Sequence, residues 1–182
     1  MKVYTRKGDD GTTGLFYGGR VRKDDPRPAA YGEVDEAQAF IGVARSQVPR
    51  GGDLDGWLVG IERDLWVVMG ELATADENRQ KLVPGESLVT VEMVTHLETV
   101  IDEVSEWFEV PTDFVVPGED PIAAALDVAR TVVRRAERAA LAVASEGSQV
   151  LPYLNRLSDL LWTLARWHEG ASRPTRSVEG GR

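Results

Sequence analysis

Beyond residue 28, apolar residues recur at the three- and four-residue intervals of amphipathic helices. The first such stripe consists of Val34, Ala37, Ile41, Ala44 and Val48. Stripes of this kind predict five helices, over about residues 29–48, 54–76, 91–109, 121–146 and 152–168. Because the connections between them are short, the pattern predicts an all-α protein that folds as a five-helix bundle.

Residues with strong preferences for helix ends support these boundaries. We expect Asp53, Thr90 and Asp120 to cap the second, third and fourth helices, since short polar side chains accept hydrogen bonds from free backbone N–H groups. Gly147 and Gly170 predict the ends of the fourth and fifth helices, because glycine readily adopts the left-handed conformation found there.

The first 28 residues have a different composition, with five glycines among basic and threonine side chains and two prolines at the end. This pattern predicts an extended loop, with a short strand at Val3-Tyr4. Residues 1–170 are expected to form a single domain that includes this loop. Residues 171–182 are expected to be a mobile tail, because they offer little apolar surface to bury.

Composition and charge exclude several classes of function. The chain has 182 residues and no cysteine, which excludes disulfide scaffolds, thiolate zinc sites and cysteine nucleophiles. It has neither an apolar run of about 18 residues nor a secretory signal, which favours a cytoplasmic protein without a membrane-spanning segment. The net charge of −9 disfavours binding to nucleic acid.

The fourth predicted helix carries charged residues in its apolar sector. Arg130 and Glu137 fall on the same side as Leu126, where an amphipathic helix is normally apolar. Burying a guanidinium without a partner is costly. A ladder of salt bridges from Arg130 through Arg134 and Glu137 to Arg138 would satisfy these charges. A bound polyphosphate is the other hypothesis, because the arginines outnumber the carboxylates in this segment.

The glycine-rich segment from Thr5 to Gly14 is a second candidate for phosphate binding. Glycines let backbone N–H groups approach phosphates closely, and the neighbouring threonines add hydroxyl groups. Two of the four lysines, Lys7 and Lys23, lie in or beside this segment. By itself the pattern is more typical of a flexible loop, and it does not match a Walker motif.

Two helix faces are candidate interfaces. Asp35 lies opposite the apolar stripe of the first helix, either as a solvated carboxylate or as the partner of an arginine across an interface. The fifth helix presents a mixed polar and aromatic face made of Asn155, Asp159, Trp162 and Arg166. His168 falls on the apolar stripe of the fifth helix and is expected in the core. No cluster of histidines and carboxylates has the spacing of a metal site.

Several separate motifs together resemble the signature of one family. The first motifs are Tyr4–Gly14, Arg20–Arg27, Ala30-Tyr31-Gly32 and Val34-Asp35-Glu36. The later motifs are Phe114–Gly118, Ala129-Arg130-Thr131, Arg134–Arg138 and Tyr153–Asp159. In this order, over about residues 3–168, the chain resembles the PduO-type ATP:cob(I)alamin adenosyltransferases.

The resemblance implies a ferritin-like five-helix bundle that assembles as a homotrimer, with active sites between neighbouring subunits. It implies that ATP, with Mg²⁺, is held by the N-terminal loop of one subunit and the arginine-bearing helix of the next. The implied ATP contacts are Thr5, Arg6, Lys7, Gly8, Thr13, Gly14, Lys23, Arg134, Arg135, Glu137, Arg138 and Asn155. The implied catalytic residues are Asp35 and Arg130, paired across the interface, and Phe114, which lies over the lower face of the corrinoid.

The implied reaction transfers the 5′-deoxyadenosyl group of ATP to the cobalt of a reduced corrinoid and releases triphosphate. A reductase and an adenosylcobalamin-dependent enzyme are implied as partners. Glu119 and Asp120 replace residues that are small in many members of the family, a difference that bears on corrinoid choice. Two alternatives stay open: a trimeric protein that holds and delivers a corrinoid or another tetrapyrrole with little catalysis, and a helical interaction protein without a ligand.

Overall fold

Five α-helices make up most of a computed structural model that describes residues 2–177. The helices are α1 (Pro26–Ser46), α2 (Asp53–Leu72), α3 (Val91–Ser105), α4 (Pro121–Ala140) and α5 (Val150–Glu169). Two short strands, β1 (Thr12–Gly14) and β2 (Arg20–Arg22), form an antiparallel hairpin in the N-terminal loop. Short 3₁₀ helices cover Asp76–Lys81 and Thr175–Ser177. The prediction of an all-α five-helix bundle is confirmed.

Helix α4 lies in the middle of the bundle, where it packs against both α1 and α5. Its buried face carries four alanines, Ala123, Ala129, Ala136 and Ala140, beside larger residues such as Leu126 and Val133. The side chains at a helix contact set the distance between the helices, so the alanines let α1 and α5 approach α4 closely. Helix α3 packs against α5, and α2 packs mainly against α1.

The apolar stripes read from the sequence form the core of this bundle. All five residues of the predicted α1 stripe are buried. Two predicted caps are also confirmed. Thr90 accepts a hydrogen bond from the backbone N–H of Met93, and Asp120 accepts one from the N–H of Ile122 at 2.8 Å. Gly170 follows α5 with a φ of +69°, the left-handed conformation expected at a helix end.

The structure corrects the predicted ends of α2. Gly52, rather than Asp53, is the N-cap of α2, and it provides no side-chain hydrogen bond. The helix ends at Leu72 instead of near residue 76. The carbonyls of Ala73 and Thr74, which follow, accept hydrogen bonds from outside the helix, so the N-terminal loop and the start of α1 end α2 early.

The structure also corrects the predicted ends of α4 and α3 and the predicted position of the N-terminal strand. Helix α4 ends at Ala140 because the N–H groups of Ala142 and Val143 bond to carbonyls only three residues back, which tightens the chain into turns. Helix α3 ends at Ser105, four residues before its predicted end. Val3 and Tyr4 form no strand, and the strands lie at β1 and β2 instead.

The segment 171–177 runs back along the loop that joins α3 to α4. The N–H of Val116 donates to the carbonyl of Arg173 at 2.8 Å, and the N–H of Thr175 donates to the carbonyl of Phe114 at 2.7 Å. The rest of the predicted mobile tail, residues 178–182, lies outside the described residues. Within residues 2–177, every helix is too short or too polar to cross a lipid bilayer.

Candidate active site

The N-terminal loop is attached to the bundle at the end of α2. The N–H of Phe16 donates to the carbonyl of Ala73 at 2.9 Å. The guanidinium of Arg27, in the first turn of α1, donates to the carbonyl of Thr74 at 2.9 Å and pairs with Asp76 at 3.0 Å. Carbonyls at a helix end have no partner within the helix, so they are available for these contacts. The loop is therefore held over one end of the bundle.

Within the loop, the β1–β2 hairpin brings Lys23 to the glycine-rich turn. Nζ of Lys23 lies 3.3 Å from the position that a Cβ on Gly8 would occupy, and the carbonyl oxygen of Thr12 lies 3.1 Å from that position. Arg20 secures the same turn, because its guanidinium donates to the carbonyl of Lys7 at 2.7 Å. The contacts favour glycine at position 8, because a Cβ there would require the lysine or the backbone to shift by a few tenths of an ångström.

The other loop residues implied as ATP contacts lie in the same turn and hairpin. Arg6 has a φ of +60°, a left-handed conformation that few residues other than glycine adopt. Oγ1 of Thr5 is 3.4 Å from the N–H of Lys7, which donates to it. Thr13 and Gly14 belong to β1. The structure therefore assembles these residues into one cationic segment with hydroxyl groups and exposed backbone.

The outer face of α4 presents two arginines one turn apart. Arg134 and Arg138 are both exposed, and Nη1 of Arg138 donates to the carbonyl of Arg134 at 2.9 Å. Oε1 of Glu137 accepts a hydrogen bond from Nδ2 of Asn155 on α5 at 3.2 Å. In the described part of the chain Glu137 forms no ion pair with either arginine, so the internal salt-bridge ladder is not found. The arrangement leaves two guanidinium groups facing outward, where an anion can reach them.

Arg135 differs from these neighbours because it forms ion pairs within the subunit. Its guanidinium pairs with Glu33 and Glu36 of α1. Hydrogen bonds to these carboxylates raise the pKa of Arg135 further above its usual range. Arg135 therefore ties α4 to α1, in addition to the ATP contact that the resemblance implies for it.

A cleft of about 480 Å³ lies between helices α4 and α5 and the loop that carries Phe114. Phe114 is 90% exposed, so its ring lies outside the hydrophobic core of the subunit. Pro117, Arg130 and Trp162 also line the cleft. Clefts that combine aromatic rings with a few charged groups are the usual form of small-molecule sites.

A buried ion network forms one wall of this cleft, which we call the Asp127 network. Oδ2 of Asp127 lies 2.6 Å from Nη2 of Arg166, and Oδ1 lies 3.3 Å from Nε of Arg130. Nε of Arg166 lies 2.9 Å from Oε1 of Glu169, but without the alignment of a hydrogen bond. Only 1% of Arg166 is exposed, so the prediction that it lies on an outward interface face is wrong. Helix α5 is buried on nearly all sides at this level.

Asp35 lies in a different depression from Arg130. It is exposed on α1 and lines a shallow apolar surface together with Phe16, Tyr31, Trp66 and Met69. The indole of Trp66 is 70% exposed. Within the described part of the chain Asp35 and Arg130 form no ion pair. A pair between them, as the resemblance implies, therefore needs a second subunit.

Sequence reasoning missed Asp127 and placed Arg166 on the wrong side of its helix. A local signal existed for Asp127, because it precedes Arg130 by three residues, the spacing of an ion pair along a helix. Arg166 had a comparable local signal in Glu169, three residues later, but its pairing with Asp127 had none, since Asp127 is 39 residues away in the chain. His168 is only partly buried, and its Nδ1 lies 3.0 Å from Oδ1 of Asp120, so it belongs to the cap of α4 rather than to the core.

The protein is a helical bundle with a cationic glycine-rich loop and two outward-facing arginines, which are features suited to binding a phosphorylated ligand. Comparison with known proteins identifies its family. Residues 3–168 match the family model described as cobalamin adenosyltransferase. The chain belongs to that family, and the resemblance found in its motifs is confirmed.

Individual relatives agree with the family match. The chain is 40% identical to a corrinoid adenosyltransferase of Mycobacterium tuberculosis over an alignment of 186 positions, gaps included, that covers 94% of this chain and 95% of the relative. It is 39% identical to a corrinoid adenosyltransferase of Bacillus subtilis, with 91% and 86% of the two chains covered. A solved variant of a PduO-type ATP:corrinoid adenosyltransferase from Lactobacillus reuteri, complexed with cobalamin and ATP, superposes with a TM-score of 0.86 at 32% identity and covers 97% of both chains.

Proposed function

We propose that this chain transfers the 5′-deoxyadenosyl group of ATP to the cobalt of a reduced corrinoid, with release of triphosphate. The observation that carries the proposal is the family match over residues 3–168, which spans both the cationic loop and the Phe114 cleft. The relatives named as corrinoid adenosyltransferases cover nearly the whole chain. A similar solved structure holds both cobalamin and ATP.

The triphosphate of ATP binds between the N-terminal loop and the outer face of α4. Lys23 and Lys7 supply positive charge on the loop, and Gly8 lets the backbone approach the phosphates closely. Arg134 and Arg138 supply charge from α4, where both are exposed. Arginine binds phosphate oxygens through two parallel hydrogen bonds, which adds geometric specificity. Mg²⁺ enters together with ATP, bound to the phosphates of the nucleotide.

The active site forms between two subunits of a homotrimer. Two features of the single chain support this arrangement. Asp35 and Arg130 line separate depressions, and the depression around Asp35 exposes the large apolar side chains of Trp66 and Phe16. Exposed apolar patches rimmed by polar residues mark interaction surfaces. A neighbouring subunit that covers this patch would bring its own Arg130 to Asp35.

The reaction requires little covalent chemistry from the protein. The electron pair of reduced cobalt attacks C5′ of ATP, the cobalt–carbon bond forms, and the C5′–oxygen bond breaks so that its electron pair leaves with triphosphate. The chain aligns cobalt with C5′ and neutralises the leaving group with arginine and lysine side chains. Phe114, which is exposed at the cleft, occupies the space of a lower axial ligand of cobalt.

The remaining proposals concern the setting of this reaction. A reductase would supply cobalt in its reduced state, and an adenosylcobalamin-dependent enzyme would use the product. A cytoplasmic location is consistent with ATP as a substrate.

A visible-absorption assay tests the function directly. Purified protein, ATP with Mg²⁺ and chemically reduced cobalamin are mixed, and the spectrum is followed towards that of adenosylcobalamin. We expect one triphosphate to be released for each cobalt–carbon bond formed, and no reaction when ATP is omitted. Corrinoid binding without any adenosylated product would instead identify a delivery protein. Absence of both ATP and corrinoid binding would identify an interaction protein.

A further inference from the structure

Asp127 connects two arginines that differ sharply in burial. Its Oδ2 is held by the fully buried Arg166, and its Oδ1 accepts a hydrogen bond from Nε of Arg130, which reaches the cleft wall. Asp127 itself is 6% exposed. With one carboxylate oxygen committed to each arginine, a displacement of either partner changes the position of the other.

The buried partner is fixed by a second carboxylate. Glu169 contacts Arg166 through both of its carboxylate oxygens and is itself shielded from solvent. Arg166 and its two carboxylate partners, Asp127 and Glu169, therefore lie in a region that water hardly reaches, whereas Arg130 is partly exposed at its edge. Charges buried in this way are tolerated only when they are paired and well oriented, and removal of one partner leaves another uncompensated. Arg166 is consequently a rigid anchor for Asp127.

The same network reaches the opposite side of the cleft. Oε1 of Glu169 accepts a hydrogen bond from the hydroxyl of Ser172 at 2.6 Å. Ser172 begins the segment whose residue Thr175 donates its N–H to the carbonyl of Phe114. The wall that carries Arg130 and the loop that carries Phe114 are thus attached to one set of buried charges.

The geometry points to Asp127 as a positioning residue for adenosyl transfer, an inference that rests on the proposed function. Asp127, anchored by Arg166, holds Arg130 through Nε alone. In the described part of the chain, Nη1 and Nη2 of Arg130 donate no hydrogen bond, and Arg130 lines the cleft, so both nitrogens stay available to a ligand or to a neighbouring subunit. A guanidinium fixed at one nitrogen with two others directed outward is preorganised to contact a ligand or the partner's carboxylate.

Substitution of Asp127 by Asn tests this role, because it keeps the shape of the side chain and removes its charge. We expect the kcat for adenosylation of cobalamin to fall on the order of 10- to 100-fold, the loss that a small misplacement of aligned groups produces. The KM for ATP is expected to change less than about twofold, because the triphosphate contacts lie elsewhere. Cob(II)alamin bound with ATP should show a weaker four-coordinate cobalt signal in electron paramagnetic resonance.

Asp55→Asn provides the matched control. Asp55 is 8% exposed and bonds to Nε of Arg45 at 2.9 Å, so this substitution also removes a buried carboxylate from an arginine, but away from the cleft. We expect it to lower the melting temperature without changing kcat or the cobalt signal. If Asp127→Asn does not yield folded protein, Asp127→Glu takes its place, since it keeps the charge but displaces the carboxylate by one methylene group.

The outcomes separate this inference from the function on which it rests. Failure of the unsubstituted protein to form adenosylcobalamin would overturn the function. An active unsubstituted protein, together with an Asp127 variant whose folded fraction keeps its kcat and cobalt signal, would show that the Asp127 network only stabilises the fold. Equal losses of kcat and of the cobalt signal in the Asp127 and Asp55 variants would also overturn the positioning role.

Discussion

The ammonium group of Lys23 lies against Gly8, 3.3 Å from the place where a β-carbon would stand. The carbonyl oxygen of Thr12 is closer still to that place, at 3.1 Å. A Cβ at this position therefore has no room unless the lysine or the turn moves. The contact joins the glycine-rich turn to Lys23, the residue that follows β2.

Gly8→Ala is accordingly expected to raise the KM for ATP by roughly tenfold, equivalent to the loss of one charge-assisted hydrogen bond. The melting temperature should change little, because the loop lies outside the bundle core. Gly56→Ala is the control, since nothing lies within 4 Å of its Cβ position in α2. That variant should retain the KM and should gain some stability, because alanine favours a helix over glycine. An unchanged KM for Gly8→Ala would indicate that the contact between Gly8 and Lys23 does not contribute to phosphate binding.

Removal of the cationic side chains themselves is a more direct test of phosphate binding. Lys23→Ala and Arg134→Ala should each raise the KM for ATP or lower turnover by more than about tenfold, since a charge-assisted contact contributes ~1.5–3 kcal/mol. Lys81→Ala is the control, because Lys81 is an exposed lysine on the Asp76–Lys81 3₁₀ helix. Steady-state kinetics and circular dichroism give the two readouts. Unfolding of Arg134→Ala with unchanged ATP affinity in its folded fraction would instead assign Arg134 a structural role.

Assembly can be tested at Asp35. Light scattering of the purified protein should give about three times the 20.0 kDa mass of one chain. Asp35→Ala should weaken the trimer or its turnover, because loss of one side of a buried ion pair costs ~3–5 kcal/mol. Asp102→Ala, which removes an exposed carboxylate from α3, should leave the trimer intact. A stable monomer of the unsubstituted protein at micromolar concentration would contradict a shared active site.

The helices could be predicted from the sequence because their signal is local. The stripe from Val34 to Val48 repeats within a few residues, and each member is buried as expected. The cap at Asp120 is equally local. The end of α2 was not predictable in this way, since it depends on Phe16 and Arg27, which approach from distant parts of the chain.

The candidate site was predictable to a similar degree. The charged residues of α4 stood out because Arg130 and Glu137 interrupt an apolar sector, and the structure leaves both only partly buried. The contacts between helices could not be inferred, since Asp127 is fixed by Arg166 and Glu137 by Asn155, both on α5. Periodicity shows which side of a helix is buried, but it does not show which polar groups meet there.

The pH dependence of stability can be predicted at Asp64. Burial raises the pKa of the Asp64 carboxyl above its ordinary value, although the hydroxyl of Tyr153 donates to it at 3.1 Å. The folded state therefore binds the proton more tightly than the unfolded state, and stability falls as pH rises from about 3.8 through the raised pKa. Asp64→Asn should flatten this part of a stability curve measured by urea unfolding between pH 3.5 and about 7. An unchanged slope in the variant would exclude Asp64 as its source.

Phe114 provides the last test, because its exposed ring can be removed with little effect on the core. Phe114→Ala should strongly reduce adenosylation of cob(II)alamin in the presence of a reductant, because a lower ligand that stays on cobalt(II) makes its reduction harder. Pre-reduced cob(I)alamin has already lost its axial ligands, so the same variant should use it nearly as well as the unsubstituted protein. The four-coordinate cobalt(II) signal that we expect for the unsubstituted protein with ATP should disappear in the variant. Since the ring is 90% exposed, the melting temperature should hardly change. Equal losses of adenosylation rate with cob(II)alamin and with cob(I)alamin would show that Phe114 shapes the cleft without acting on the axial ligand.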